Sequence, residues 1–557
     1  LKNYILIFTA FIFVFGCREE PRNEIKKVEV KKIQDVNAEA LHILTKYYAN
    51  PLGDSLLIIG RDSLVAYPFF EKLTGGTRLI FTDRGKLTPK GDSLFALIKN
   101  SRTYGLIAKD YHYPVLDTLL NNFYEKKHEA YNVSYIAAFE ALITDAYLKF
   151  GAHLNKGRFN PDTMLLEWKP KKLDTNWVSI LRFGLEENKM REAFDSLEPE
   201  HEGYRFLKQA LNNYIAETEN MNWDSVSFAN VTDTLKLKQE LKKKLMDTGD
   251  YDDSLKVNDS LKLAIAIKSF QKQFNLEPDG KLGKYTKQAL GLSKELTIRQ
   301  MEMALERWRW EPKKYPERYA MVNIPSAEVN VWEWDKKKKI DTLVLNSRVV
   351  VGKPDHETPT LKSKINYMLV YPYWNVPYSI AWKEILPMVQ RDTNYIHKKN
   401  FEVINWKGEV VTDLSKLRWK KFNKDYLPVK FRQRIGDENS LGICKFNFNS
   451  KYGVYMHDTN SKKYFKTFYR YQSHGCIRLE KFVEMARFLI RDDTLKIPYD
   501  TLNAYFLRQE QKQINLRKPL PIYVRYFTAS ADSNLTLHLN LDIYKKDRQM
   551  IKMLYGN

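Results

Sequence analysis

The feature that most narrows the fold is a change of periodicity near residue 310. Before it, apolar residues recur at spacings of three and four; after it, they alternate. In SYIAAFEALITDAYLKF (134–150), Ile136, Phe139, Ile143, Ala146, Tyr147 and Phe150 fall on one helical face, with Gly151 as the expected stop. Beyond ERWRW (306–310), the stretches AMVNIPSAEVNVWEW, DTLVLNSRVVVG and INYMLVYPYWNVP alternate, are rich in Val, Tyr and Trp, and break at Pro, Gly or charged tips. The switch predicts a multidomain α+β chain, helical from about 39 to 250 and β-rich from 319 to 557. Its 557 residues exceed what one core organises, and 43% hydrophobic with 28% charged residues exclude both a disordered chain and a membrane bundle.

Three further segments stand apart. YILIFTAFIFVFG (4–16) is the one long apolar run, preceded by Lys2 and followed by the charged CREEPRNE. It is shorter than the ~20 residues that span a bilayer, so residues 1–17 read as a signal peptide. The run ends in VFGC, similar to a bacterial lipobox, which makes Cys17 the expected lipidation site. The folded part is then exported, a periplasmic lipoprotein held at a membrane; a plain membrane anchor with an incidental Cys17 is the alternative. Residues 18–38 are polar and read as a tether. At 254–292, Leu263, Ile267, Phe270 and Phe274 lead into a Pro-Asp-Gly turn and a second short helix ending at Leu290 and Gly291. A polar, more helical insertion, about 378–430, interrupts the β-rich region and reads as a lid or side lobe. The formal charge of +22 favours anionic partners, yet the lysines are mixed with acids (238–247, 334–341), as on solvated helix faces and hairpin tips; no nucleic acid is expected.

The chemistry concentrates in YMHDT, with His457, and YQSHGCIRLE (471–480). With Cys17 assigned to lipid, Cys444 and Cys476 remain, and an exported chain permits a bridge between them. Against a bridge, Cys444 lies in LGICKFNF, an alternating strand pattern in which a lone cysteine is a small buried hydrophobe. A thiol attacks only as its thiolate, so it needs a base, a positive end, or both. His457 ends the strand-like YGVYMH, and a loop returns the chain to Cys476. The register of Leu479, Phe482, Ala486, Leu489 and Ile490 predicts a helix beginning just after Cys476, whose N-terminus would lower the thiol pKa. Gly475 permits close backbone approach, and the N–H groups of the Gly475–Cys476 turn are candidate oxyanion donors. Two histidines and a cysteine also suggest zinc, with Asp458 the one obvious fourth ligand; the nucleophile reading is preferred and no metal is expected.

YMHDT and SHGCIRL resemble the L,D-transpeptidase catalytic domain of the YkuD type, in which a histidine and a loop precede Ser or Thr, His, Gly and Cys. Fifteen residues separate His457 from Ser473. VNIPSAEVNVWEWD, VVVGKPDHETPT and YPYWNVPYSI are similar to the early strands of long, lidded Gram-negative members. YGLIAKDYHY and LITDAYLKFGAHLNKGRFNP resemble their helical scaffold domain, and 254–292 resembles their small three-helix peptidoglycan-binding module. The resemblance implies that Cys476 attacks the carbonyl of the third stem residue, a diaminopimelate, and expels D-Ala. It implies that His457 holds the thiolate as an ion pair, then deprotonates an acceptor amine, oriented by the backbone carbonyl of Asp458. His474 would shape the pocket beside Gly475, Ser473 would support the loop, and Arg478 would pair a substrate carboxylate. Tyr455 and Trp374 would wall the substrate cleft or pack in the core. The implied activity is formation of 3-3 peptidoglycan crosslinks, with stem peptides and glycan as partners, a membrane through the N-terminal lipid or signal anchor, and no cofactor. Water as acceptor would make an L,D-carboxypeptidase, and a protein lysine would attach a protein to the wall. A non-catalytic wall-binding lipoprotein is the alternative of another class. A papain-like endopeptidase is disfavoured, because there the cysteine precedes its histidine.

Overall fold

The computed structural model describes residues 29–30, 36–49, 57–59, 62–64, 73, 78–125, 130–161, 176–228, 233–493 and 495–556. The expected signal segment with Cys17 lies outside the described residues, as does most of the expected tether. The chain forms two compact units, one running to Asn155 and including Leu173–Glu198, the other comprising Lys156–Lys172 and Pro199–Asn557.

The first unit is built around the helix Val133–Lys156, which buries Ile136, Phe139, Ile143, Ala146, Tyr147 and Phe150. Gly151 does not end this helix, contrary to expectation. It lies within it, where a Cβ would meet Leu181 Cδ1 at 2.7 Å; the glycine serves close packing rather than termination. Glu140 is buried in the same helix and accepts from the Phe81 amide and the Thr82 hydroxyl, each at 2.9 Å, so its carboxyl oxygens are satisfied where water is excluded.

The second unit contains the β-rich region. Its strands are β1 (Arg318–Asn323), β2 (Glu328–Asp335), β3 (Ile340–Gly352), β4 (Leu361–Val370), β5 (Cys444–Phe448), β6 (Met456–His457), β7 (Tyr471–Ser473), β8 (Ile477–Leu479) and β9 (Lys512–Arg525). Pairing runs β3-β8-β6-β5-β4-β9-β1-β2, and β2 pairs again with β3, so the order closes into a ring, with β7 added alongside the end of β3. Closure leaves no long unpaired edge among these strands. Alternation fills the interior: Val322, Val329, Val331, Val349, Val351, Phe446 and Ile477 are buried in one core.

A second core joins the helices Glu202–Glu217, Asp259–Gln273 and Lys294–Arg309 to the C-terminal helix Lys546–Tyr555. Within the motif at 254–292, the Gln271 amide is buried. Its Nε2 donates to Asp279 Oδ1 (2.8 Å), and its Oε1 accepts from the Gly280 amide (2.9 Å), fixing the Pro-Asp-Gly turn. Gly280 has φ +72°, a left-handed turn position that favours glycine.

The insertion forms a small lobe. Strands Trp374–Asn375, Lys430–Gln433 and Phe401–Ile404 pair antiparallel in that spatial order, over a core that includes Val389, Phe401, Val403, Trp419 and Phe431. An independent core allows this lobe to be a stable wall beside the sheet.

Candidate active site

Three neighbouring strands set the site by register alone. Lys445 on β5 is the direct partner of His457 on β6, and His457 is the direct partner of Arg478 on β8. Directly opposed residues share a face, so the three form one row. Residues two positions away join the same face: Tyr455 before His457, and Cys476 before Arg478. The alternating residues Cys444, Phe446, Met456, Ile477 and Leu479 are buried in the core.

Above this row opens a cleft of about 500 Å³, lined by Tyr455, His457, Ser473, His474, Cys476 and Arg478 from the sheet side and by Trp374, Lys383, Glu384, Lys398 and Lys399 from the lobe. Among the described residues, every expected site residue except Gly475 lines this cleft. Gly475 stands directly before Cys476 at φ +105°, the left-handed region, and lines an adjoining hollow. Its carbonyl accepts from Thr358 Oγ1 at 2.8 Å, while Ser473 Oγ donates to the Cys476 carbonyl at 2.6 Å. The loop that carries Cys476 is therefore tied on both sides.

Cys476 is a free, half-buried thiol, and Cys444 is free and buried, so the two are not bridged. Burial pushes the Cys476 thiol up, and four groups pull against it: the Tyr455 amide and hydroxyl as donors, and the charges of Lys445 and Arg478. The Tyr455 hydroxyl itself accepts from Trp374, making a chain from indole to phenol to sulfur. His457 Nδ1 donates to the carbonyl of Asp458. A carbonyl only accepts, so the neutral ring carries its proton on Nδ1 and leaves Nε2 as the basic nitrogen. Burial, then the positive charge of Arg478, pulls its pKa down to about 3 against the backbone acceptors. The Asp458 side chain is engaged elsewhere: Oδ2 accepts from the Ile443 amide at 3.0 Å, and Oδ1 pairs with Lys462.

Sequence comparisons agree with this geometry. Residues 317–497 match the YkuD family, described as the L,D-transpeptidase catalytic domain. This region is an L,D-transpeptidase catalytic domain. Residues 74–211 match the scaffold domain, and residues 237–290 match a family described as "Putative peptidoglycan binding domain". The chain is 31% identical over 233 residues to a Haemophilus influenzae protein named "Putative L,D-transpeptidase". That similarity covers 41% of this chain and 44% of the relative, so the chain spans less than half of the relative's length.

Within the L,D-transpeptidase domain, two details differ from the sequence expectations. No helix starts just after Cys476: Ile477–Leu479 is a strand between β3 and β6, and the helix Phe482–Ile490 follows it. Ile477 and Leu479 alternate into the core, and that burial takes the segment into the sheet. The positive field at sulfur comes from Lys445 and Arg478 instead of a helix end. The Gly475 amide donates to Ser473 Oγ at 3.2 Å, which removes it as a free oxyanion donor.

Lys445 and Glu384 were not singled out by sequence reasoning. Glu384 Oε1, on the lobe, pairs with His474 Nε2 at 2.6 Å, linking the lobe to the loop that carries Cys476 in the L,D-transpeptidase domain. Alternation in ICKFNF did put Lys445 opposite the buried Phe446, but its partner strand is set by pairing more than ten residues away.

Proposed function

We propose that this chain forms 3-3 peptidoglycan crosslinks through a thioester on Cys476. The observation that supports it most is the grouping of Cys476, a neutral His457 and Arg478 on the floor of one cleft, with a second cation, Lys445, in register beside His457. Cys476 Sγ attacks the carbonyl carbon of the third residue of a donor tetrapeptide stem as its proton passes to His457 Nε2. The Cys476 amide is the candidate donor to the oxyanion. The C–N bond to D-Ala breaks, and the leaving amine takes the proton from His457. The amine of a second stem then attacks the thioester and gives a proton to His457. The C–S bond breaks, and the proton returns to sulfur. No oxidant, reductant or metal enters this balance. Arg478, Lys398 and Lys399 offer charge to the carboxylates of stem peptides.

The test is D-Ala release from a disaccharide-tetrapeptide. Cys476→Ala abolishes it, and His457→Ala lowers it by roughly 10²–10⁴-fold, the ordinary range for a general acid–base group. Release by Cys476→Ala at the wild-type rate would overturn the assignment. The apolar run and VFGC support export and lipid attachment at Cys17; a diacylglycerol mass on the Cys17 peptide is expected, and an unprocessed N-terminus would contradict it.

A further inference from the structure

The sulfur of Cys476 lacks the helix end that would ordinarily favour a thiolate, and His457 carries no charge at rest to serve as its counterion. The charges that face it belong to β5 and β8. Arg478 lies toward the cleft, its guanidinium 5.7 Å from the Tyr464 ring, where a substrate carboxylate would compete for it. Lys445 does not line the cleft. Its Nζ sits 3.8 Å from the centre of the Tyr455 ring, and the hydroxyl of that same ring donates to Cys476. Tyr455 also meets His457 edge-on, with ring centres 5.7 Å apart. A lysine on a strand normally extends its amine to water. This one is held down on an aromatic face beside a thiol, partly desolvated, and burial lowers its own pKa while Cys476 raises it.

We infer that Lys445 is a positioning residue of the acyl-transfer site, whose ammonium steadies Tyr455 beneath the sulfur and supplies the resting charge against which Cys476 ionises. This rests on Cys476 being the nucleophile. The other charged and titratable groups around it are accounted for. From β6 and the residue before it come His457 and Tyr455; from β8 and the residue before it, Arg478 and Cys476; from the loop after β6, Asp458 paired with Lys462, and Tyr464 under Arg478; from the lobe, Glu384 paired with His474. On β4, the residue opposite Lys445 is the apolar Leu369. Lys445 is thus the cation that faces the sulfur from behind the reacting side and stays there when substrate fills the cleft.

The experiment is the pH profile of Cys476 alkylation by iodoacetamide in the full chain, read by mass spectrometry of the Cys476 peptide, alongside D-Ala release. Lys445→Met keeps the length and removes the charge. Its alkylation midpoint is expected to rise by about one pH unit, which makes labelling at pH 7 roughly tenfold slower. Lys445→Arg is expected to restore most of the shift, with thermal midpoints alike in all three proteins; should Lys445→Met fail to fold, Lys445→Gln carries the same comparison. In a Tyr455→Phe background, the Lys445→Met shift is expected to shrink, because the two residues act through one contact. An unchanged midpoint in the folded uncharged variant, even with reduced activity, would overturn the proposal and leave Lys445 as packing. A shifted midpoint in a protein that releases no D-Ala would uphold Lys445 and overturn the acyl-transfer reading instead.

Discussion

At the scale of single residues, the site depends on which groups are charged before substrate arrives. His457 is buried and neutral, with a folded-state pKa of about 3 against an ordinary 6.5. Between those values the unfolded chain binds a proton that the native protein does not, so the stabilising contribution is whole above pH 6.5 and is lost as pH falls toward 3. At pH 4.5 the loss from this residue is about 2 to 3 kcal/mol relative to pH 7. Urea unfolding at the two pH values should show His457→Gln losing less stability than wild type on acidification; an equal loss in both would contradict a buried neutral imidazole. Cys476, His457, His474 and Arg478 were legible in the sequence because their pattern is short and local. Lys445 was not. Its position comes from β5 pairing with β6, and no local pattern records which residue lies across a strand gap.

At the scale of elements, two expectations failed for the same physical reason: tertiary packing decided where a helix stops or starts. Gly151 is a helix breaker by propensity, yet Leu181 and Leu197 close over it, and the helix runs on to Lys156. Leu479 fits the helical register of the residues after it, yet with Ile477 it also fits a strand, and an open place between β3 and β6 settled the choice. The helical motif at 254–292 was legible because its turn is written locally, in Gln271, Asp279 and Gly280. Gln271→Ala would leave the half-buried Gly280 amide without its acceptor. A loss of about 1 to 3 kcal/mol is expected in chemical unfolding, with D-Ala release by the folded protein unchanged. Full stability in that variant would show that the turn does not depend on the glutamine.

At the scale of the whole molecule, the second unit is held by buried charge as well as by its apolar cores. Arg307 is wholly buried and pairs with Asp547 of the C-terminal helix, which also accepts from the Thr528 hydroxyl. Asp547→Ala strands the guanidinium, and a loss of roughly 3 to 5 kcal/mol is expected by calorimetry or urea unfolding. A loss under about 1 kcal/mol would mean that water reaches Arg307. The broad order, helices and then a β-rich region, was legible from the change in periodicity, whereas the closed ring was not, since closure depends on β2 meeting β3 and on β9 meeting β1 across just over two hundred residues. The central claim, that Cys476 carries an acyl group between two stems, is tested most directly by mass spectrometry of purified disaccharide-tetrapeptide incubated with wild-type protein and with Cys476→Ala. The account predicts a dimer with the mass of two stems minus one D-Ala in the wild-type reaction and none with the variant. The same dimer formed by Cys476→Ala would contradict it.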